Sequence, residues 1–233
     1  MNTTRHALIV GGARGIGRGL ASSLLDDGWH VTIAGRSTRA EDLEARGAKW
    51  LQADVSDATA AQKLVAEAGP FDSLVIAAGT YHRVPLLKET PEGWRSMFAD
   101  NLDPVLFLAQ AAIPQMAEQG FGRILTFSIA NAERLQSNPF IAGHYIAKIG
   151  VLVLTRSLAK VAGPQGITVN AISPGFVDSG TIPVDDMAHM IKHIPARRLG
   201  TVDETVAAAR FLLSEEAGYV SGTNVVVSGG WGL

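Results

Sequence analysis

The chain contains no cysteine, which excludes disulfides and thiolate metal sites and suits a reducing compartment such as the cytoplasm. It has no apolar run long enough to span a bilayer, and Met1–His6 carries no apolar stretch of the signal-peptide kind. An excess of either charge is missing too. The 20 Lys and Arg are interspersed with the 22 Asp and Glu, so neither nucleic acid nor a membrane surface is expected as a partner. The six histidines are scattered, with no carboxylates at ligand spacing, and no metal is expected. What is present, 233 residues of which 47 % are apolar, suffices for one large domain with a full core, residues 1–233.

The most informative segment is Gly11-Gly12-Ala13-Arg14-Gly15-Ile16-Gly17, which follows the apolar run Ala7–Val10 and opens a helical pattern. A strand feeding a helix through such a turn aims backbone N–H groups at one point, at the positive end of the helix dipole, and that arrangement binds a pyrophosphate. Gly11 permits the tight turn, Gly15 the approach of the ligand, and Gly17 the close packing of helix on strand. The same glycines would also suit a tight loop without a ligand. The strand before them and the helix after them favour the nucleotide site.

Strands and helices alternate along the chain. Apolar strand candidates are Ala7–Val10, Val31–Ala34, Lys49–Gln52, Ser73–Ala77, Arg123–Phe127, Thr168–Ile172 and Asn224–Val227. Helical patterns lie near Gly15–Asp27, Ala40–Ala45, Ala58–Ala68, Val105–Glu118, Ile146–Val161 and Asp203–Leu213. The strands read as continuous apolar runs, as in a parallel sheet buried on both faces. Right-handed crossovers then give an α/β, doubly wound sheet with the nucleotide at its switch point. The irregular stretches Ile129–Gly143 and Pro174–Gly200 are the expected substrate walls.

The ordered motifs resemble the short-chain dehydrogenase/reductase family, in its 3-oxoacyl-reductase-like form, over nearly the whole chain. They are the glycine turn, Asp54-Val55, Asn101-Leu102, Gly122-Arg123-Ile124, Lys148-Ile149-Gly150-Val151, Val169 to Gly175, Arg198-Leu199-Gly200, Val220-Ser221-Gly222 and Gly229-Gly230. The resemblance implies a single Rossmann-like domain of about seven strands with helices on both faces, and an oxidoreductase acting on a carbonyl or alcohol. It also implies a cofactor site built from Gly11, Ala13, Arg14, Gly15, Ile16, Gly17, Arg36, Ser37, Asp54, Val55, Ala78, Gly79, Asn101, Lys148, Pro174, Gly175 and Val177. Asp54-Val55 would hold the adenine, and Asn101 would open the fourth helix as a catalytic asparagine. At the end of the second strand a carboxylate suits NAD and an arginine NADP. Here Arg36 stands there with no acid, and Arg14 adds a second guanidinium, so NADP(H) is expected unless both arginines are only solvated charges.

The catalytic signature departs from the family. A family member carries a serine, a tyrosine and, four residues on, a lysine. The tyrosine gives a proton to the carbonyl oxygen, the lysine lowers its pKa, and the serine orients the carbonyl. Lys148 and Asn101 fill their places, but His144 precedes Lys148 by four residues and Tyr145 follows one later. At about 100° per residue both lie on the face of Lys148, roughly 40° and 60° to either side. Tyr145 reaches the substrate if the helix start is rewound, and its phenol is preferred slightly as the acid. His144 holds the family position and is chemically competent. Each also has a packing role open to it. Ile129 occupies the serine position with Ser128 one before it, and a one-residue shift on a strand turns a side chain to the other face unless a bulge restores it. Ile76-Ala77-Ala78-Gly79 replaces the family's Asn-Asn-Ala-Gly.

Tyr81, His82, Phe140 and the segment Thr181–Ile194 with Met187 and Met190 are candidate pocket residues, the methionines as an adaptable lid or as ordinary packing. Gly120 and Gln165 stand where carrier-protein-dependent members often have basic residues, which weakens an acidic carrier as partner. The family habit predicts a homotetramer, or a dimer, with Trp231 in a second interface or folded on its own core. The departures leave a second reading open, a protein that binds NADP(H) as a sensor, scaffold or non-redox enzyme.

Overall fold

A computed structural model describes residues 5–180 and 184–232. Through its centre runs a parallel sheet of β1 (His6–Val10), β2 (His30–Gly35), β3 (Lys49–Gln52), β4 (Ser73–Ile76), β5 (Gly122–Phe127), β6 (Ile167–Pro174) and β9 (Asn224–Val227), in the order β3-β2-β1-β4-β5-β6-β9. All its pairings are parallel. The order reverses between β1 and β4, the switch point at which open α/β sheets bind ligands. Leu8 and Val10 of β1 point into one core layer, with Leu64, Leu108 and Val151, while Ala7 and Ile9 point into the other, with Leu20, Leu24 and Leu212. Successive strand residues alternate faces, and both faces are covered, so beyond His6 the strand is apolar throughout.

On the first face pack α3 (Ala58–Ala68), α5 (Asp103–Gln119) and α6 (Ala142–Ala162), and on the second α1 (Gly15–Asp26) and α8 (Val202–Leu213). The short α2 (Glu41–Glu44) joins β2 to β3. Two regions hold elements that were not expected. One is α4 (Pro91–Asn101), started by Thr90, whose Oγ1 accepts from Gly93 N–H, with Pro91 in its first turn. Asn101 therefore closes a helix, where the sequence reading has it opening one. The break at Leu102 lets Pro104 enter the first turn of α5, where its missing N–H costs nothing. The other is the stretch after β6, which holds the small pair β7 (Val177–Asp178) and β8 (Gly200–Thr201), and α7 (Val184–Lys192) between them. A 3₁₀ turn, Ala132–Arg134, interrupts the stretch after β5, and α6 begins four residues before its expected start at Ile146.

Candidate active site

The glycine turn is shaped by contacts that exclude a side chain. A Cβ on Gly11 would lie 2.6 Å from the Ala78 nitrogen, and one on Gly17 would lie 2.4 Å from the Gly11 carbonyl oxygen. Gly11 and Gly15 adopt φ of +88° and +54°, the left-handed region open to glycine. The turn floors a cleft of about 560 Å³, within the usual size of ligand sites. Its walls include Gly11, Ala13, Arg14, Gly15, Ile16, Gly17, Arg36, Ser37, Asp54, Val55, Ala78, Gly79, Ser128 and Pro174. Asn101, Lys148, Gly175 and Val177 are not among its walls. Gly175 N–H donates to Val227 O at 2.9 Å and packs on Ser228, and Val177 pairs with Gly200 in β7–β8.

At one end, Arg14 is exposed and unpaired among the described residues, and Arg36 Nη1 lies 3.3 Å from Asp100 Oδ1. Asp100 is a site residue that the sequence reading missed, because only the fold brings α4 beside the end of β2. The Asp54 carboxylate accepts from the Ser56 N–H and hydroxyl, which, with Arg36 nearby, lower its pKa.

At the other end, Asn101 and Lys148 converge on Gly79. A Cβ there would stand 2.6 Å from Asn101 Oδ1 and 3.4 Å from Lys148 Nζ. Asn101 Nδ2 donates to the carbonyls of Thr80 and Met97, each at 3.0 Å, which fixes the amide orientation and leaves Oδ1 buried without a partner. Lys148 Nζ donates to Phe127 O at 3.1 Å, and burial pushes its pKa down to about 8. His144 Nδ1 lies 3.0 Å from the same Thr80 carbonyl, and its ring meets Tyr81 edge-on at 5.3 Å. Burial, and then the nearby Lys148 charge, push its pKa down to about 4.

Tyr145 goes elsewhere. The first turn of α6 is regular, with Tyr145 N–H on Ile141 O at 2.8 Å, so no rewinding redirects the ring. Its hydroxyl donates to Asn131 O at 2.8 Å and accepts from Gln136 N–H at 3.1 Å, anchoring the loop after β5. The Tyr145 hydroxyl, slightly preferred as the acid from the sequence, is thus engaged with the loop after β5 in this structure. Ser128 Oγ donates to Lys148 O at 2.7 Å, so the hydroxyl braces β5 against α6. No bulge returns it, and Ile129 packs beside Leu152 and Ile149.

Around the catalytic end, His82 bonds Glu89 at 2.8 Å, Arg83 covers Phe140, and Trp231 packs on Phe176 at 4.4 Å. Trp231 thus folds on its own chain in this structure. Met187 and Met190 are half-buried on α7, and residues 181–183 of the expected pocket segment lie outside the described residues. Among the described residues no group of three or more histidines and carboxylates could hold a metal ion, and no helix is long and apolar enough to cross a membrane.

A family model described as enoyl-(acyl carrier protein) reductase matches residues 11–232. A 3-oxoacyl-(acyl-carrier-protein) reductase of Staphylococcus aureus (strain Mu50) is 33 % identical, with 99 % of each chain covered. An acetoacetyl-CoA reductase of Allochromatium vinosum is 34 % identical, covering 97 % of this chain and 98 % of its own. A solved structure described as a short chain dehydrogenase/reductase family protein superposes with a TM-score of 0.89 at 31 % identity, covering 99 % of this chain and 98 % of that one.

Proposed function

The chain belongs to the short-chain dehydrogenase/reductase family, and from that premise we propose that it is an NADP(H)-dependent carbonyl reductase or alcohol dehydrogenase acting on a small or medium substrate. The observation that carries the reading is the meeting of Asn101 Oδ1 and Lys148 Nζ against Gly79, a residue that lines the cleft beginning at the glycine turn. A dinucleotide fits that arrangement, because the glycine turn lines the cleft at the N-terminus of α1 and Asn101 Oδ1 is left orphaned.

The turn from Gly11 to Gly17 would hold the pyrophosphate and Asp54-Val55 the adenine. Arg14, Arg36 and Ser37 would take the 2′-phosphate, as planar guanidinium groups do. Ala78, Gly79 and Pro174 would back the nicotinamide ring, which supplies or accepts the hydride when bound. Lys148 keeps two free N–H donors toward the nicotinamide ribose. His144 stands in the family's tyrosine position and handles the proton in place of Tyr145. Ile129 leaves the carbonyl without a serine from β5. With Gly120 and Gln165 in place of basic docking residues, the substrate is a free small molecule. Ile146, Val153 and Val161 expose one apolar face of α6, which supports a homotetramer in the cytoplasm. Light scattering showing a monomer at micromolar concentration refutes the assembly.

The test is NADPH oxidation, followed by absorbance, across ketones, aldehydes, quinones and β-keto esters. Turnover that vanishes in Lys148→Ala supports the reading. Saturable NADPH binding with no turnover supports the second reading, a cofactor-binding protein without redox chemistry, which Ile129 in the serine position favours.

A further inference from the structure

We propose that His144 is held as a neutral imidazole protonated on Nδ1, and that its bare Nε2 takes the proton of a substrate hydroxyl, so that the protein works as an alcohol dehydrogenase. This rests on the oxidoreductase reading above and adds to it a direction and a substrate class.

The tautomer follows from the partners. The Thr80 carbonyl can only accept, so the His144 nitrogen 3.0 Å from it carries the hydrogen. The same oxygen accepts from Asn101 Nδ2 at 3.0 Å, and Thr80 is itself tied down by its hydroxyl, which donates to Asp100 Oδ2 at 2.7 Å. The imidazole is therefore held by a fixed acceptor, and Nε2 makes no hydrogen bond among the described residues.

The charged and titratable groups around the ring oppose a second proton. Lys148 lies one turn along the same helix and acts on the ring as a like charge. His82, from the loop after β4, adds a weaker opposition and has its own carboxylate partner in Glu89. Tyr81 presents a ring edge. Asp100, on the packed α4, is committed to Arg36 and Thr80. With the ring's pKa near 4, the imidazolium is about one part in a thousand at pH 7. A proton donor for carbonyl reduction needs that scarce form, whereas a base for alcohol oxidation uses the abundant one.

The step balances. The alcohol O–H bond would break with its proton passing to Nε2, and the carbinol C–H electron pair would leave as hydride to the oxidised nicotinamide that the cleft would hold. The product is the carbonyl compound, and the imidazolium then loses its proton to solvent.

The first test does not need turnover. The ¹⁵N-histidine protein, alone and with NADP⁺, is titrated from pH 5 to 8.5 by two-bond ¹H–¹⁵N correlation, with the His144 signals assigned by their loss in His144→Gln. The expected result is the Nδ1–H tautomer with no titration above pH 5. An Nε2–H tautomer, or a midpoint at 6 or above, overturns the proposal. In kinetics, oxidation of 2-propanol, cyclohexanol or 1-phenylethanol with NADP⁺ should have a pH-independent kcat/KM between pH 6 and 8. Reduction of the matching ketones should fall about tenfold per pH unit there, because the donor form disappears at that rate. His144→Gln should lose at least about 100-fold in oxidation, the usual worth of a positioned base, with NADP⁺ affinity unchanged. Flat reduction over that range, or NADP⁺ binding without oxidation of any of these alcohols, also overturns the proposal. Failure to bind NADP⁺ or NADPH at all would instead refute the oxidoreductase reading.

Discussion

Lys148→Met is expected to make the protein more stable at pH 7 while abolishing its turnover. Lys148 is 8 % exposed, and burial pushes its pKa from the ordinary 10.5 to about 8. At about 1.36 kcal/mol per pH unit, holding that ammonium charged below pH 8 costs the fold roughly 3 kcal/mol. Methionine has a similar length and no charge to desolvate, and it forfeits the bond to the Phe127 carbonyl, worth about 1 kcal/mol net. The balance favours the variant by about 2 kcal/mol, or about 4–8 °C in Tm for a chain of this size. Because the folded-state pKa is depressed, the folded wild type binds fewer protons than the unfolded chain between pH 8 and 10.5. Its stability therefore rises with pH through that window, and the variant's does not. Urea unfolding at pH 7 and pH 9.5 should show the advantage of the variant shrinking by about 2 kcal/mol. A variant less stable than the parent at pH 7, or an advantage equal at both pH values, would show that the ammonium is not desolvated as argued.

Gly17→Ala puts a Cβ 2.4 Å from the Gly11 carbonyl oxygen, so the turn must open, and NADPH affinity measured by calorimetry should fall at least about tenfold, or 1.4 kcal/mol. Unchanged affinity would remove the turn from the cofactor site. Tyr145→Phe strands the Gln136 N–H and the Asn131 carbonyl, with an expected loss of about 1–3 kcal/mol in urea unfolding. Its kcat should stay near the parent's, and a collapse of turnover with the fold intact would return the phenol to the chemistry. Arg36→Ala removes a charged donor to a 2′-phosphate, worth about 1.5–3 kcal/mol, so the preference for NADPH over NADH should drop roughly 10- to 100-fold. An unaltered ratio of the two kcat/KM values would show that Arg36 serves Asp100 alone.

The sheet is legible in the sequence because each central strand feeds two cores at once. Leu8 and Val10 serve one layer, Ala7 and Ile9 the other, and the apolar run records both. Helix α4 is not legible by that rule, since only Met97 and Asn101 of its residues are buried and no apolar stripe results. Its start is a local one, Thr90 capping the helix ahead of Pro91, with no apolar periodicity behind it. The glycine-turn end of the cleft reads well because such a turn is a local backbone device. Asp100 does not, because nothing near it in the chain announces that it will meet Arg36 across the cleft.

The displaced tyrosine shows why a motif read one residue off is a different object. On a helix, successive side chains point about 100° apart. His144 therefore turns to the Thr80 carbonyl, while Tyr145 turns to the loop after β5 and spends both hydroxyl functions there. The same one-residue rule on a strand sends the Ser128 hydroxyl to the backbone of α6 and leaves Ile129 in the serine position. Asn101 and Lys148 keep their meeting at Gly79 throughout, since each is positioned by its own helix and not by the residues that moved. The one-residue shift has accordingly left the Asn101–Lys148 meeting at Gly79 in place and changed only which side chain of the α6 first turn stands beside it. On the proposed reading, that separation is what lets a histidine stand where a phenol is expected without disturbing the cleft.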